Sequence, residues 1–362
     1  MNTELFSVVK EIVSKHGEKI LADPRRVSAF LADMAQDVPK PQKGTFIKCL
    51  EQGFVKILKN AAETERANCK SQLAQRLHKD EGLDLNLCEE SLGLLAAVLF
   101  GEEEVTAIAD WAFMGKQLTS FTIPSGVTTI GLCAFSNNQL SSINIPDSVT
   151  TIESCAFEDN KLTKLIIPNR VTNIGNSAFS KNQLTSVIIP DSVTSIGNSA
   201  FADNKLTSFT LPKNVNIIEN CVFSRNLLTN IVIPKKVKSI EAFAFYKNQL
   251  TSVNIPDSVT TIGVGAFSNN LLTNVSIPKF ITTIERGTFS ENHLASIIIP
   301  KSVTSIGDMV FNGNQLTSIT IGANVELKNS FFDNGFDDFY NTQGRRAGTY
   351  ILINKWRGWK VQ

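Results

Sequence analysis

Histidine is scarce in this chain: His16, His78 and His293 are the only three in 362 residues. Cysteine is limited to six and methionine to four, so little material is present for metal ligation or acid/base chemistry. No His-Glu-x-x-His, phosphate loop or Cys-x-x-Cys occurs. A surplus of charge is missing too. Thirty-five basic residues meet 34 acidic ones for a formal net charge of +1, which argues against a nucleic-acid binder and against an acidic disordered chain. Long apolar runs are absent: the longest, Leu94 to Phe100, has seven residues, where a membrane span needs about 20. Glu4, Lys10 and Glu11 interrupt the first residues where a secretory signal would need an apolar stretch, so the expectation is a cytoplasmic protein, with the cell surface reached by unconventional export as the alternative.

What is present is unevenly spread. Residues 1–104 carry 31 charges, whereas residues 105–325 carry 28 over 221 positions, which places a boundary near Glu104. Beyond that boundary the chain repeats. Proline recurs from Pro124 to Pro300 and phenylalanine from Phe113 to Phe311, every gap being 22. Leucine keeps the same step from Leu118 to Leu316, isoleucine from Ile108 to Ile306 and asparagine from Asn138 to Asn314. A valine column runs from Val105 to Val325, broken at Ile281.

The unit that starts at Leu184 shows the logic. Val187, Ile188 and Ile189 have strand chemistry, β-branched and facing alternately in, out and in. Pro190 ends the strand because it has no N–H to donate. Val193, Ile196, Ala200 and Phe201 then fit a loose, partly extended or helical return arc. One such turn cannot bury its apolar side chains, but stacked turns can, each covering the next. Ten turns predict a solenoid roughly 45–50 Å long at about 4.8 Å per strand step, with Leu, Val, Ile, Ile and Phe columns inside. The Asn column is expected to satisfy turn backbone that no ladder reaches, since an amide offers two donors and an acceptor.

This template, with Ile-Pro, Val-x-x-Ile and Ala-Phe-x-x-Asn-x-Leu in order, resembles the BspA-like class of leucine-rich repeats over residues 105 to about 325. The resemblance implies a bacterial or protist surface protein, several members of that class being adhesins for host matrix proteins or partner microbes. The stretch Gly344 to Tyr350 resembles a tail on spirochaete proteins of the class, and the helical N-terminal segment is similar to segments of spirochaete proteins.

The ends read differently. Residues 1–101 predict a helical bundle. Asp23-Pro24 opens a helix that lines Val27, Phe30, Leu31 and Met34 on one face. A second helix is expected from about Thr45, carrying Phe46, Leu50, Phe54, Ile57 and Leu58, with Val38 to Lys43 as an exposed loop before it. Ala61 to Leu77 and Ser91 to Phe100 complete the bundle, and Gly101 to Glu104 forms a short linker. Residues 326–362 gather Phe331, Phe332, Phe336, Phe339, Tyr340, Tyr350, Trp356 and Trp359, and read as an aromatic cap ending in a hairpin, or as an aromatic binding surface. The expected class is therefore α+β: a helical domain at 1–101, a leucine-rich-repeat solenoid of about ten 22-residue turns at 105–325, and a β cap at 326–362.

For chemistry, the three histidines are expected on the surface, and Gly263-Val-Gly265 is explained by its repeat column without a ligand. Cys133, Cys155 and Cys221 share a column that also holds Trp111, Ser177, Phe243, Gly265 and Met309; they read as free thiols at a tolerant filler site. Cys133 and Cys155 lie on adjacent turns, with Cα atoms about 5 Å apart and within disulfide range. Cys49, Cys69 and Cys88 read as core of the helical domain. No catalytic, cofactor or metal site is expected. What remains is the outer face of the strands, where Lys164, Ile166, Ile188 and Val232 form the candidate partner-binding patch. The function this supports is a non-catalytic scaffold that presents a rigid sheet surface to a protein partner. The alternatives are an adhesin, an enzyme whose site lies in the helical domain, and a structural array without a fixed partner.

Overall fold

The computed structural model describes residues 3–16, 18–34, 40–52, 54, 55, 74, 78, 79, 91, 106–328, 335–354 and 358–362. The chain divides into two compact units, Met1–Thr106 with Phe121–Val127, and Ala107–Ser120 with Thr128–Gln362.

In the first unit, helix Thr3–His16 is followed by a 3-10 turn at Glu18–Ala22 and helices Pro24–Met34 and Lys40–Glu51. Asp23 caps the second helix by accepting the Arg26 N–H at 3.2 Å. Val9, Ile12, Leu21, Val27, Leu31, Phe46, Cys49 and Leu50 form its core. The third helix begins at Lys40, five residues before the expected start, so Lys40 to Lys43 are helical rather than an exposed loop. Pro41 lies in the first turn, where its missing N–H has no helical partner to lose, and Thr45 Oγ1 donates to its carbonyl at 2.9 Å. His16 stacks on Phe30 with ring centroids 4.5 Å apart. Ile57, Leu58, nearly all of the helices expected at 61–77 and 91–100, and the linker at 101–104 lie outside the described residues, as do Cys69 and Cys88.

The second unit is the solenoid. Equivalent residues of successive turns lie over one another, as in the register Leu165↔Val187 and Ile152↔Ile174. The Phe column from Phe135 to Phe289 is fully buried. Its rings stack with centroids 5.2 Å apart at Phe135–Phe157 and 6.1 Å at Phe201–Phe223. Two parallel ladders run along the stack. The first contains the expected strands, as three-residue segments at Lys164–Ile166, Ser186–Ile188 and Ser296–Ile298, extended by single bridges Thr210↔Val232, Val232↔Asn254 and Asn254↔Ser276. The second was not expected. The dipeptides that end on the Ile column of the return arc, such as Thr151–Ile152, Asn173–Ile174 and Ser195–Ile196, pair in register, so the arc is partly extended, as one of the expected forms, and carries a second, narrower ladder.

The Asn column does what an inward amide can do. Asn204 Oδ1 accepts the Leu184 N–H at 3.0 Å, while its Nδ2 donates to the carbonyls of Phe179, Phe201 and Ala202 at 2.9, 3.2 and 3.1 Å. The same set recurs at Asn182 and Asn226, so each amide ties its own corner to the turn before it.

At the C-terminal end, strand Gly348–Asn354 pairs antiparallel with Ser318–Ile321 and with Gly358–Val361, giving the expected hairpin. An unforeseen helix, Phe336–Thr342, packs on it. Phe336 sits among Tyr340, Tyr350 and Trp359, with ring centroids 5.8, 5.4 and 5.0 Å away, and all four are buried. Tyr340 donates to the Gly322 carbonyl at 2.7 Å and accepts the Val325 N–H at 3.2 Å. These four aromatics form a buried cluster and present no exposed ring face. Phe331, Phe332 and Trp356 lie outside the described residues.

Candidate functional site

Strand geometry creates the candidate face. A β-strand alternates its side chains, so a buried Leu165 puts Lys164 and Ile166 outward. Parallel pairing in register then sets Lys164 beside Ser186 and Ile166 beside Ile188. Ile166 is 65% exposed and Ile188 64%. Val232 is exposed further, at 79%, but Thr210 and its turn stand between it and Ile188. The four candidate residues thus share one face, with the two isoleucines adjacent and Val232 a separate point along it. Ile298 is 71% exposed in the same column and belongs to the face as well. Its signal in the sequence was the shared 22-residue step, the same one that marks Val232 between Thr210 and Asn254.

Cys133, Cys155 and Cys221 are free and half-buried. The Cys155 thiol is pushed up to about 12, by burial first and then by the neighbouring Glu158 carboxyl and Cys133. Burial also pushes the Cys221 thiol up. Both therefore hold their protons at neutral pH. Their column is a backbone device: Cys133, Cys155, Ser199, Cys221, Phe243 and Met309 all have positive φ near 50–57°, and Gly265 and Gly287 have φ of 60° and 62°. What these positions share is the left-handed backbone, not a side-chain type. A second left-handed column follows four residues later, at Asn137, Asp159, Lys181 and Asp203.

Gly263 also has a local reason. A Cβ there would lie 2.6 Å from the Ala242 nitrogen of the preceding turn. Stacked carboxylates occur at Glu219 and Glu241, and Glu219 is held above the usual carboxylate range by burial and then by Glu241. No three His, Cys, Asp or Glu among the described residues are grouped so as to hold a metal ion. No helix among them is long and apolar enough to cross a membrane.

The family model for the BspA type leucine rich repeat region matches residues 106–228 and again 218–336. A leucine-rich repeat protein of Bacteroides ovatus is similar, with 28% identity and a TM-score of 0.45 over 63% of this chain and 56% of that one. The present chain thus spans little more than half the length of that protein. A leucine rich cell surface protein of Faecalibacterium prausnitzii is 31% identical, with a TM-score of 0.43 over 61% of this chain and 71% of that one. No curated protein sequence matches the chain. With the repeat model matched over well over half of its residues, the chain belongs to the BspA-type leucine-rich repeat family.

Proposed function

We propose that this protein is a non-catalytic interaction scaffold whose strand face, at Lys164, Ile166, Ile188 and Val232, receives a protein partner. The observation that carries this reading is the pairing of Ile166 with Ile188, two large apolar side chains held side by side and mostly exposed. Apolar anchors on a pre-ordered surface bind with little ordering cost, because the backbone beneath them is already hydrogen-bonded. Ile167, for example, donates its N–H to the Ile188 carbonyl at 2.9 Å.

The test is quantitative capture with the full chain and its Ile166→Ser/Ile188→Ser variant side by side. Proteins held by the parent and lost by the variant are the expected result. An identical captured set with both baits would overturn the assignment of this face.

A further inference from the structure

We propose that the partner of the strand face is an acidic protein segment carrying an apolar side chain, received at the turn Val232–Lys238 and the corners beside it. This rests on the strand-face reading above and adds the chemistry of the partner. In each turn a proline closes the exposed strand, and the residues just beyond it form a corner that borders the face. From Lys213 to Thr304 the first, second and fourth positions after these prolines hold Lys213, Lys235, Lys236, Lys238, Lys279 and Lys301 against a single acid, Asp257. The corners of the preceding turns hold Asp147, Arg170 and Asp191 and have no such surplus. In a chain of net charge +1 this is a strong local segregation.

Two of the lysines are already engaged, Lys213 with Asp191 at 2.9 Å and Lys279 with Asp257 at 2.8 Å. Lys235, Lys238 and Lys301 form no ion pair with a described residue, and Lys236 donates only to the neutral Asn214 Oδ1, at 2.8 Å. Three of these lysines stand on the one turn that also presents Val232, four residues or fewer from Lys235 and Lys236. An apolar tip bordered by unneutralised cations fits a segment in which carboxylates flank an apolar residue. The cations steer and orient it, and the apolar contact retains it. A phosphate polymer would use the lysines and leave Val232 without a counterpart.

The experiment measures binding of dye-labelled probes to the full chain by fluorescence anisotropy. The probes are a glutamate-rich peptide with leucines, the same peptide with serines for leucines, and a single-stranded oligonucleotide. The leucine peptide is expected to bind tightest and to weaken as salt is raised. Lys235→Glu/Lys236→Glu/Lys238→Glu is expected to weaken it about tenfold or more, and Val232→Ser to remove its advantage over the serine peptide. If the triple reversal fails to fold, the corresponding Lys→Gln triple variant carries the same expected loss. No saturable binding of the leucine peptide, tighter binding of the oligonucleotide, or an affinity unmoved by the lysine variants would overturn the proposal. Such a failure, with partners still lost on Ile166→Ser/Ile188→Ser, removes the acidic chemistry and leaves the face. Unchanged capture by that double variant removes the face itself.

Discussion

Phe179 and Phe201 lie face over face, their ring centroids 5.7 Å apart and their planes 9° from parallel. Both rings are fully buried; Phe157 covers the other face of Phe179 and Phe223 the other face of Phe201. Removing one ring therefore opens a cavity that no single neighbour can fill. Phe201→Ala is expected to cost about 3–5 kcal/mol of stability, measured by chemical denaturation. A loss below about 1 kcal/mol would mean that the column is not the packed core of the stack.

The amide of Asn204 is a separate test because its role is polar. Asn204→Ala strands the Leu184 N–H and takes one donor from the Phe179, Phe201 and Ala202 carbonyls, which keep those of Asn182, Asn226 and Lys181, and is expected to cost about 1–3 kcal/mol. Asn204→Asp is expected to cost more at neutral pH, since a carboxylate keeps the acceptor and faces three carbonyls without a donor. Thermal melts of the two variants decide it; an aspartate variant as stable as the parent would contradict the hydrogen-bond assignment.

These columns were readable because stacking gives every turn the same environment, so one residue type satisfies each inward position. Phe, Leu and Asn therefore recur without exception from Asn138 to Asn314. Backbone constraints left a weaker trace. The left-handed position at Cys133, Ser199, Phe243 and Met309 selects a backbone conformation and not a side chain, so its residues look unrelated. The second ladder has only two residues per turn, too few for an alternating pattern. The early start of helix Lys40–Glu51 was masked by Pro39 and Pro41, which read as loop although a first-turn proline is compatible with a helix. In the candidate site, the alternation around Leu165 and Val187 made Lys164, Ile166 and Ile188 visible.

Two glycines separate steric from conformational demand. Gly263→Ala would push a methyl group against the Ala242 backbone and is expected to cost about 1–3 kcal/mol. Gly287 has φ of 62° and no neighbour closer than Ser290 Oγ at 3.5 Å, so Gly287→Ala should cost only the left-handed penalty, about 1–2 kcal/mol. Changing Ser199, which has φ of 57°, to glycine should cost little or stabilise. Denaturation midpoints of the three variants rank them, and a Ser199→Gly loss as large as that of Gly263→Ala would refute the backbone reading.

Glu219 supplies a pH dependence with a definite sign. Burial first and Glu241 second raise its folded pKa above the unfolded value. The folded state therefore binds the Glu219 proton more tightly than the unfolded state does. This contribution to stability is fully present below the unfolded pKa and is lost as pH rises through the folded one. Glu219→Gln is expected to raise the melting temperature at neutral pH and to lose that advantage in acid. A variant whose gain grew on acidification would reverse the assignment.

Folding and binding roles separate along a single strand, and this gives the last prediction. Ile166 and Ile188 face outward, so Ile166→Ser and Ile188→Ser should each cost no more than about 1 kcal/mol, the span of strand propensity. Leu165, between Lys164 and Ile166, is buried in the core, and Leu165→Ala should cost about 2–5 kcal/mol. The same thermal melt reads both. If the outward pair destabilised the fold as much as Leu165→Ala, the isoleucines would be structural, and any loss of partners in that variant would report unfolding. With the outward pair near neutral, a lost partner can be traced to the two methyl-rich side chains that the parallel register sets side by side.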